Sequence, residues 1–285
     1  MGRMRLWRVL IALEFLGLPA ALCAQAAAER SPVFGAGVIA GALSFPGGRA
    51  DQLISVTLQY QPLAWLSVSA SPGFGRSTYA GSSESGLTDV PVIARATYDS
   101  IPGPWSPSGW GALYTTLQTS SNGSPLGAGV TTVGAALGGG IEPRTGTFLY
   151  VDGSRPLTSG ASNGFVEVEG ARWIGQVTGT LALSSEVGRV DSGTVASRSI
   201  AAGMVMWLTG PMMLAIDVTH GLTTSAPTWS VSVGVGTALG GLSPSGAASA
   251  FSRLSSLFGP KIAVTSGNTK TTGGPSADCK RRKAC

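Results

Sequence analysis

Lysine is missing from the first 260 residues of this chain; Lys261, Lys270, Lys280 and Lys283 all lie near its C-terminal end. A soluble domain normally covers itself with lysine and glutamate, so a long stretch without lysine is a poor candidate for a water-facing surface. Charged residues make up only 12% of the 285, against about 25% in a typical soluble domain. There is one histidine, His220, and the cysteines are Cys23, Cys279 and Cys285. Residues 27–244 therefore cannot rely on disulfides. One histidine without cysteine leaves only scattered carboxylates, a poor donor set for zinc. No metal or other cofactor is expected. Past the N-terminal segment no run approaches about 18 uninterrupted apolar residues, so no membrane-spanning helix is expected there.

What is abundant is glycine, at 42 residues, with much serine and threonine. Such a composition favours strands and turns over helices. The mean hydropathy of +0.26 separates the chain from polar, disordered sequences. Its net charge of +5 is a property of the two ends. Arg3, Arg5 and Arg8 outweigh Glu14 at the start, and Arg253, four lysines, Arg281 and Arg282 outweigh Asp278 at the finish. Between them, residues 27–244 are net acidic, so no nucleic-acid partner is expected for the body.

The three N-terminal arginines, the apolar stretch 9–22 and Ala24-Gln25-Ala26 fit a secretory signal over 1–26. An uncleaved anchor would need a longer run. Cys23 suggests a lipoprotein, but Leu22 before it is too large for the usual processing site.

The body alternates. In 53–61, Ile54, Val56, Leu58 and Tyr60 are separated by Ser55, Thr57 and Gln59. In 229–241, Trp229, Val231, Val233 and Val235 are separated by Ser230, Ser232 and Gly234. A period of two is the signature of strands. Runs and breakers predict about twelve, over 33–45, 52–61, 65–78, 88–98, 109–119, 129–141, 146–153, 164–173, 176–187, 194–207, 211–220 and 228–240. The connections alternate between tight (62–64, 142–145, 174–175, 208–210) and long (46–51, 79–87, 120–128, 154–163, 188–193, 221–227). Only 99–109, with its three prolines, is long where a tight turn is due. Short turns at one end and long loops at the other suit a barrel in a bacterial outer membrane. Strands of about 9–11 residues are long enough to cross at a tilt. A soluble sandwich would alternate too, but its outer face would carry Lys and Glu.

The fold predicted is thus all-β: an antiparallel up-and-down transmembrane barrel of about twelve strands over 27–240, then a C-terminal extension over 241–285. In that extension Phe251, Leu254 and Phe258 space out one face of a short helix, and the rest reads as a disordered basic tail. Tyr60, Trp65, Tyr98, Trp110, Trp173, Trp207 and Trp229 fall near strand ends, where interfacial girdles form, although each would also suit a core.

Charges on strands are few. Arg95, Asp152, Glu167, Glu169, Glu186 and Asp217 fall on the polar phase, and Arg198 is grouped with them. Charge facing lipid is costly, so these are expected to line the lumen. They read equally as a selectivity set, with a carboxylate excess that favours cations, or as salt bridges filling a structural barrel. Ser67, Ser69, Ser230, Ser232 and Gly234 are expected to line the lumen as small groups that leave a narrow passage, constricted by 99–109 or by the tail.

Nothing enzymatic emerges. His220 lies at a predicted strand end, and the serine that outer-membrane phospholipases place two residues after their histidine is replaced by Leu222. The acidic and Asp–His pairs of the omptin proteases have no counterpart. GAALGGGIEP (134–143) lacks the lysine of a phosphate loop. The glycosylation sequon at 122–124 has little meaning in a bacterial-type export setting.

The run GLTDVPVIARATY, 86–98, resembles the outer-membrane barrels labelled "MetA-pathway of phenol degradation" transporters, in which a Gly-x-x-Asp step leads into an alternating strand; Gly86 and Asp89 match it. That resemblance implies a channel-like barrel of about twelve strands passing small hydrophobic molecules. The chain departs from the usual barrel ending, because its last strand is not terminal. The expectations are therefore a monomeric, lipid-embedded outer-membrane channel for small solutes, or else a structural or surface-interaction barrel.

Overall fold

The computed structural model describes residues 33–237, except 64, 100–104, 122–123, 128–129, 159–163, 176, 188–195 and 209–211. The predicted signal segment, the predicted helix at 251–258 and the tail lie outside the described residues. Fourteen strand segments follow one another: β1 (Val33–Ser44), β2 (Ala50–Leu63), β3 (Leu66–Ala70), β4 (Gly73–Tyr79), β5 (Ser82–Leu87), β6 (Val90–Asp99), β7 (Ser106–Leu117), β8 (Thr132–Arg144), β9 (Thr147–Pro156), β10 (Gly164–Ile174), β11 (Val177–Val187), β12 (Arg198–Trp207), β13 (Met212–Gly221) and β14 (Trp229–Thr237). They form a closed antiparallel barrel of twelve staves.

Twelve staves arise from fourteen segments because two staves are broken. β2 pairs with β4 through its first half and with β3 through its second. β3 and β4 are thus one stave, interrupted at Ser71 and Pro72. Beside them β5 and β6 are another, interrupted at Thr88 and Asp89. Pro72 has no N–H to give the ladder. Its carbonyl still accepts from Val56 N–H at 2.9 Å, and Thr88 N–H reaches the Gly73 carbonyl at 3.0 Å. The ring closes where β1 meets β14, in register from Gly37↔Gly236 to Ser44↔Trp229.

Exposure alternates with the sequence. On β14, Trp229, Val231, Val233 and Val235 are exposed, while Ser230, Ser232 and Gly234 are sheltered. On β11, Leu181 and Leu183 are exposed around a buried Ala182. An outer surface of Val, Leu and Ile has no partner in water and a good one in acyl chains. Aromatics mark its two rims. Phe34 stacks on Tyr60 at 4.7 Å at the turn end, and His220 packs on Trp229 at 4.4 Å at the loop end.

Four of the seven aromatics considered for that girdle lie elsewhere. Tyr60, Tyr98 and Trp229 are on the outer face. Trp110, Trp173 and Trp207 pack against buried clusters on the inner face, and Trp65 shares the inner phase of Ser67 and Ser69. Periodicity gave no hint of this, since an aromatic near a strand end fits either face until the phase of its neighbours is fixed.

The expected long loop 79–87 is instead a hairpin. β4 and β5 pair from Phe74↔Leu87 to Tyr79↔Ser82, joined by Ala80 and Gly81 alone. Both have positive φ, 49° and 82°, as a two-residue hairpin turn of the tightest type requires. The sequence SSESGL hides this strand because both of its faces are exposed, so nothing imposes an apolar phase.

The architecture predicts migration that depends on heating: unboiled, detergent-extracted protein should run as a compact band on SDS gels and shift on boiling. It also predicts that Val233→Arg, at the middle of β14's outer face, costs about 2–4 kcal/mol of folding stability in lipid vesicles, measured by guanidinium titration.

Candidate functional site

Inside the barrel the wall is uneven. From β6 to β10 it is bulky, and at the turn end the bulk continues onto β12 and β13. Ile93, Ala112, Tyr114 and Ala136 form one buried cluster with Trp110 against it. Phe148, Tyr150, Ala171, Val205, Met213 and Ala215 form a second, with Trp173 and Trp207. From β14 through β1 the inner positions are mostly small: Ser230, Ser232, Gly234 and Gly236, then Gly35, Gly37 and Gly41.

The glycines of β8 explain how so many rings fit. A Cβ on Gly134 would lie 2.1 Å from the Tyr114 ring, one on Gly138 would lie 2.6 Å from Trp110 Nε1, and one on Gly140 would lie 2.6 Å from the Tyr150 ring. Each ring therefore lies flat over the backbone of a neighbouring strand, and only glycine leaves the space.

The singled-out charges divide between the faces. Arg95 is 5% exposed and its guanidinium sits 4.2 Å over the Trp110 ring. Trp110 covers Gly138, which pairs with Asp152, and Asp152 pairs with Glu167 on the next strand. Arg95, Trp110, Asp152 and Glu167 thus form a continuous run across five strands. Glu169 is level with Tyr150 and Ala182. Glu186 accepts a hydrogen bond from Ser197 N–H at 3.1 Å near the loop end. Asp217 stands apart on β13, between Gly203 and Ser232, and accepts from Thr219 Oγ1 at 3.1 Å.

Arg198 does not join them. It shares the phase of Ile200, Ala202 and Met204, is exposed, and sits at the loop-end start of β12. An arginine at a strand's end reaches water and headgroups without entering the hydrocarbon, which is why the outer phase tolerates it. Among the small residues, Ser67 is level with Arg95, Ser69 with Gln59 and Ile93, and Ser230, Ser232 and Gly234 with Leu43, Gly41 and Ile39. His220 is on the outer phase, its Nδ1 2.9 Å from the Thr228 carbonyl. That is a rim contact. Among the described residues no three His, Cys, Asp or Glu side chains gather to hold a metal.

The clearest unforeseen feature is the connection from β7 to β8. Its backbone bends inward over the mouth. Asp89 Oδ1 accepts from Thr119 N–H, Ser120 N–H and Ser120 Oγ at 3.1, 3.1 and 2.7 Å. Arg49 forms an ion pair with Asp51 at 2.5 Å and donates to the Pro125 carbonyl at 2.9 Å. Ser77 Oγ donates to Asp51 at 2.6 Å. Leu126 is buried against the inner side of Gly75, where a Cβ would approach within 2.9 Å. The expected constriction by 99–109 rests on 100–104, outside the described residues; what does fold in is the β7–β8 connection at Thr119, Ser120, Pro125 and Leu126. The sequence signalled little of this, because Asp89 and Arg49 acquire their loop partners only through the fold.

No family model matches this chain, and no curated protein matches its sequence. Solved structures do. An outer-membrane channel from Pseudomonas putida F1 overlays with a TM-score of 0.52 at 12% identity, covering 74% of this chain and 96% of that one. The KdgM porin (TM-score 0.44, 11% identity, 72% and 99% covered) and the β domain of the Bordetella autotransporter BrkA (0.42, 14%, 73% and 99%) overlay more loosely, and nothing rests on them. At such identity the likeness is one of fold: this chain is an all-β barrel of the kind seen in outer-membrane channels.

If the Asp89 contacts hold the inward loop, Asp89→Asn should loosen it. Charge-assisted bonds are worth about 1.5–3 kcal/mol each. Cleavage by proteinase K within 118–131 should rise by about tenfold or more in Asp89→Asn, with barrel stability nearly unchanged.

Proposed function

We propose that the protein is an outer-membrane channel for small solutes, monomeric and surrounded by lipid, exported by its 1–26 segment. The observation that carries this reading is the uneven wall. Buried clusters line β6 to β10 and, at the turn end, β12 and β13, while the inner faces of β14 and β1 carry mostly serine and glycine. A barrel of about eight strands is closed by its own side chains, whereas sixteen or more leave an open channel. With twelve, the contents decide, and small side chains on one wall favour a narrow passage along it. Carboxylates dominate the inner charges: Asp152, Glu167, Glu169, Glu186 and Asp217 against Arg95. Such an excess supports a preference for cations. The small hydrophobic solute implied by the family resemblance suits the aromatic half, but the half with room is polar.

One observation favours a second reading, a barrel without transport whose outer loops and hairpin act at the surface. The cluster around Phe148, Met213 and Trp207 occupies the turn end. Planar-bilayer recording separates the two. A channel should give small discrete steps in KCl and a zero-current potential of cation-selective sign, moved toward zero by Asp217→Asn. A membrane that stays sealed at every protein concentration, with no solute uptake into liposomes, would establish the second reading.

A further inference from the structure

We propose that the inner wall around Gln59 and Trp65 is a binding subsite for a neutral, hydroxyl-bearing solute, a polyol or monosaccharide. This rests on the channel reading and names the solute class for it.

Gln59 is 6% exposed, on the inner phase of β2, and its Oε1 is buried with no hydrogen-bond partner. The Nε1 of Trp65, at the turn between β2 and β3, is buried in the same condition. Buried polar atoms without partners are rare and expensive, so each calls for an explanation. These two lie on one hairpin and one face. Between and beside them the inner positions are Gln61, Ser67 and Ser69, with Ser69 directly across from Gln59. One step toward the loop end, Thr57 and Ser71 satisfy each other at 3.0 Å. The shortfall is therefore local to the turn-end stretch of the hairpin.

The other flank of Gln59 carries no side chain. Its neighbour on β1 is Gly35, followed by Gly37 beside Thr57. Gly37 in turn meets Gly236 of β14, and the nearest atoms to a Cβ built there belong to backbone. No side chain of β1 can extend from these glycines to satisfy the amide. A seam of glycines would say nothing by itself; here it borders an acceptor that has no donor.

The chemistry of the two atoms selects the ligand. Oε1 needs a donor, the indole N–H needs an acceptor, and the serine hydroxyls serve as either. A hydroxyl donates and accepts at once, so a molecule with several hydroxyls along its length meets both needs. A carboxylate would serve the indole and be drawn by Arg95, but it has no proton to give the amide oxygen and would oppose it. An ammonium would serve the amide but not the indole, and would approach Arg95, which is level with Ser67. An apolar solute would leave both atoms as they are.

The test uses the full chain in liposomes and planar bilayers, with xylitol, which has five hydroxyls, as the probe and triethylene glycol, with only two terminal hydroxyls and two ether oxygens that cannot donate, as the comparison. Wild-type liposomes should swell faster in xylitol than in triethylene glycol. Gln59→Leu and Trp65→Phe should each cut that ratio by about fivefold, the value of one hydrogen bond, with KCl conductance within about twofold of wild type. An unchanged ratio in both variants, at normal KCl conductance, would mean that these atoms are merely hydrated and would overturn the subsite alone. No KCl conductance in the wild type would overturn the channel reading and the subsite with it. A measurement on the wild type covers variants that fail to fold: xylitol should reduce the single-channel current saturably. A reduction that is linear and equal to that of triethylene glycol at matched viscosity would count against the subsite.

Discussion

Every backbone N–H and C=O that enters hydrocarbon must find its partner inside the protein, and a sheet can do this only by closing on itself. The pairing of β1 with β14, eight residues long from Gly37↔Gly236 to Ser44↔Trp229, is where this chain meets that demand. Closure then fixes the rest. Once the ring is shut each strand has one outer and one inner phase, and the outer phase must be apolar along its length. The pairing at Gly37 and Gly236 is close: a Cβ built on Gly236 would come within 3.1 Å of the Gly37 Cα. The same small residues that allow this contact leave the inner wall clear on that side.

Closure sets a second problem, since a ring of twelve staves encloses more volume than small side chains fill. The structure meets it unevenly. Tyr114, Trp110 and Tyr150 lie flat over Gly134, Gly138 and Gly140 of β8, so one wall is thickened by rings without being pushed outward. Stacking Arg95 over Trp110 places a buried cation against a π face next to the Asp152 and Glu167 carboxylates. At the mouth, the Asp89 and Arg49–Asp51 contacts hold Ser120 and Pro125 of the β7–β8 connection inward. Rings and the inward loop thus crowd part of the inner face, while the glycine seam of β14 and β1 carries little bulk.

Much of this was legible before the fold was known, and the reason is the solvent. An apolar outer surface on one side and the lumen on the other impose a strict period of two, so Val231, Val233 and Val235 could be assigned to one face and Ser230 and Ser232 to the other. The twelve staves followed from the same signal. It failed where the constraint is lifted. SSESGL, exposed on both faces, carried no period, so a strand was read as loop. Arg198 was misplaced because at a strand's end either face reaches water. The inward tryptophans and the glycine sockets depend on register between strands: Trp110 and Gly138 are 28 residues apart and become partners only through the β7–β8 pairing. Nor could any pattern foretell that Ser120 and Leu126 of the β7–β8 connection dock inside.

The central claim is that successive residues of one strand face lipid and lumen in turn. Thiol labelling along β14 tests it most directly. With Cys23, Cys279 and Cys285 replaced by serine, single cysteines are placed in turn from Ser230 to Val235 in the reconstituted protein. A small charged methanethiosulfonate should react at 230, 232 and 234, and a lipid-soluble maleimide at 231, 233 and 235. Equal reaction of all six positions with the charged reagent would mean that no lipid covers the outer face, and would contradict the barrel in its membrane.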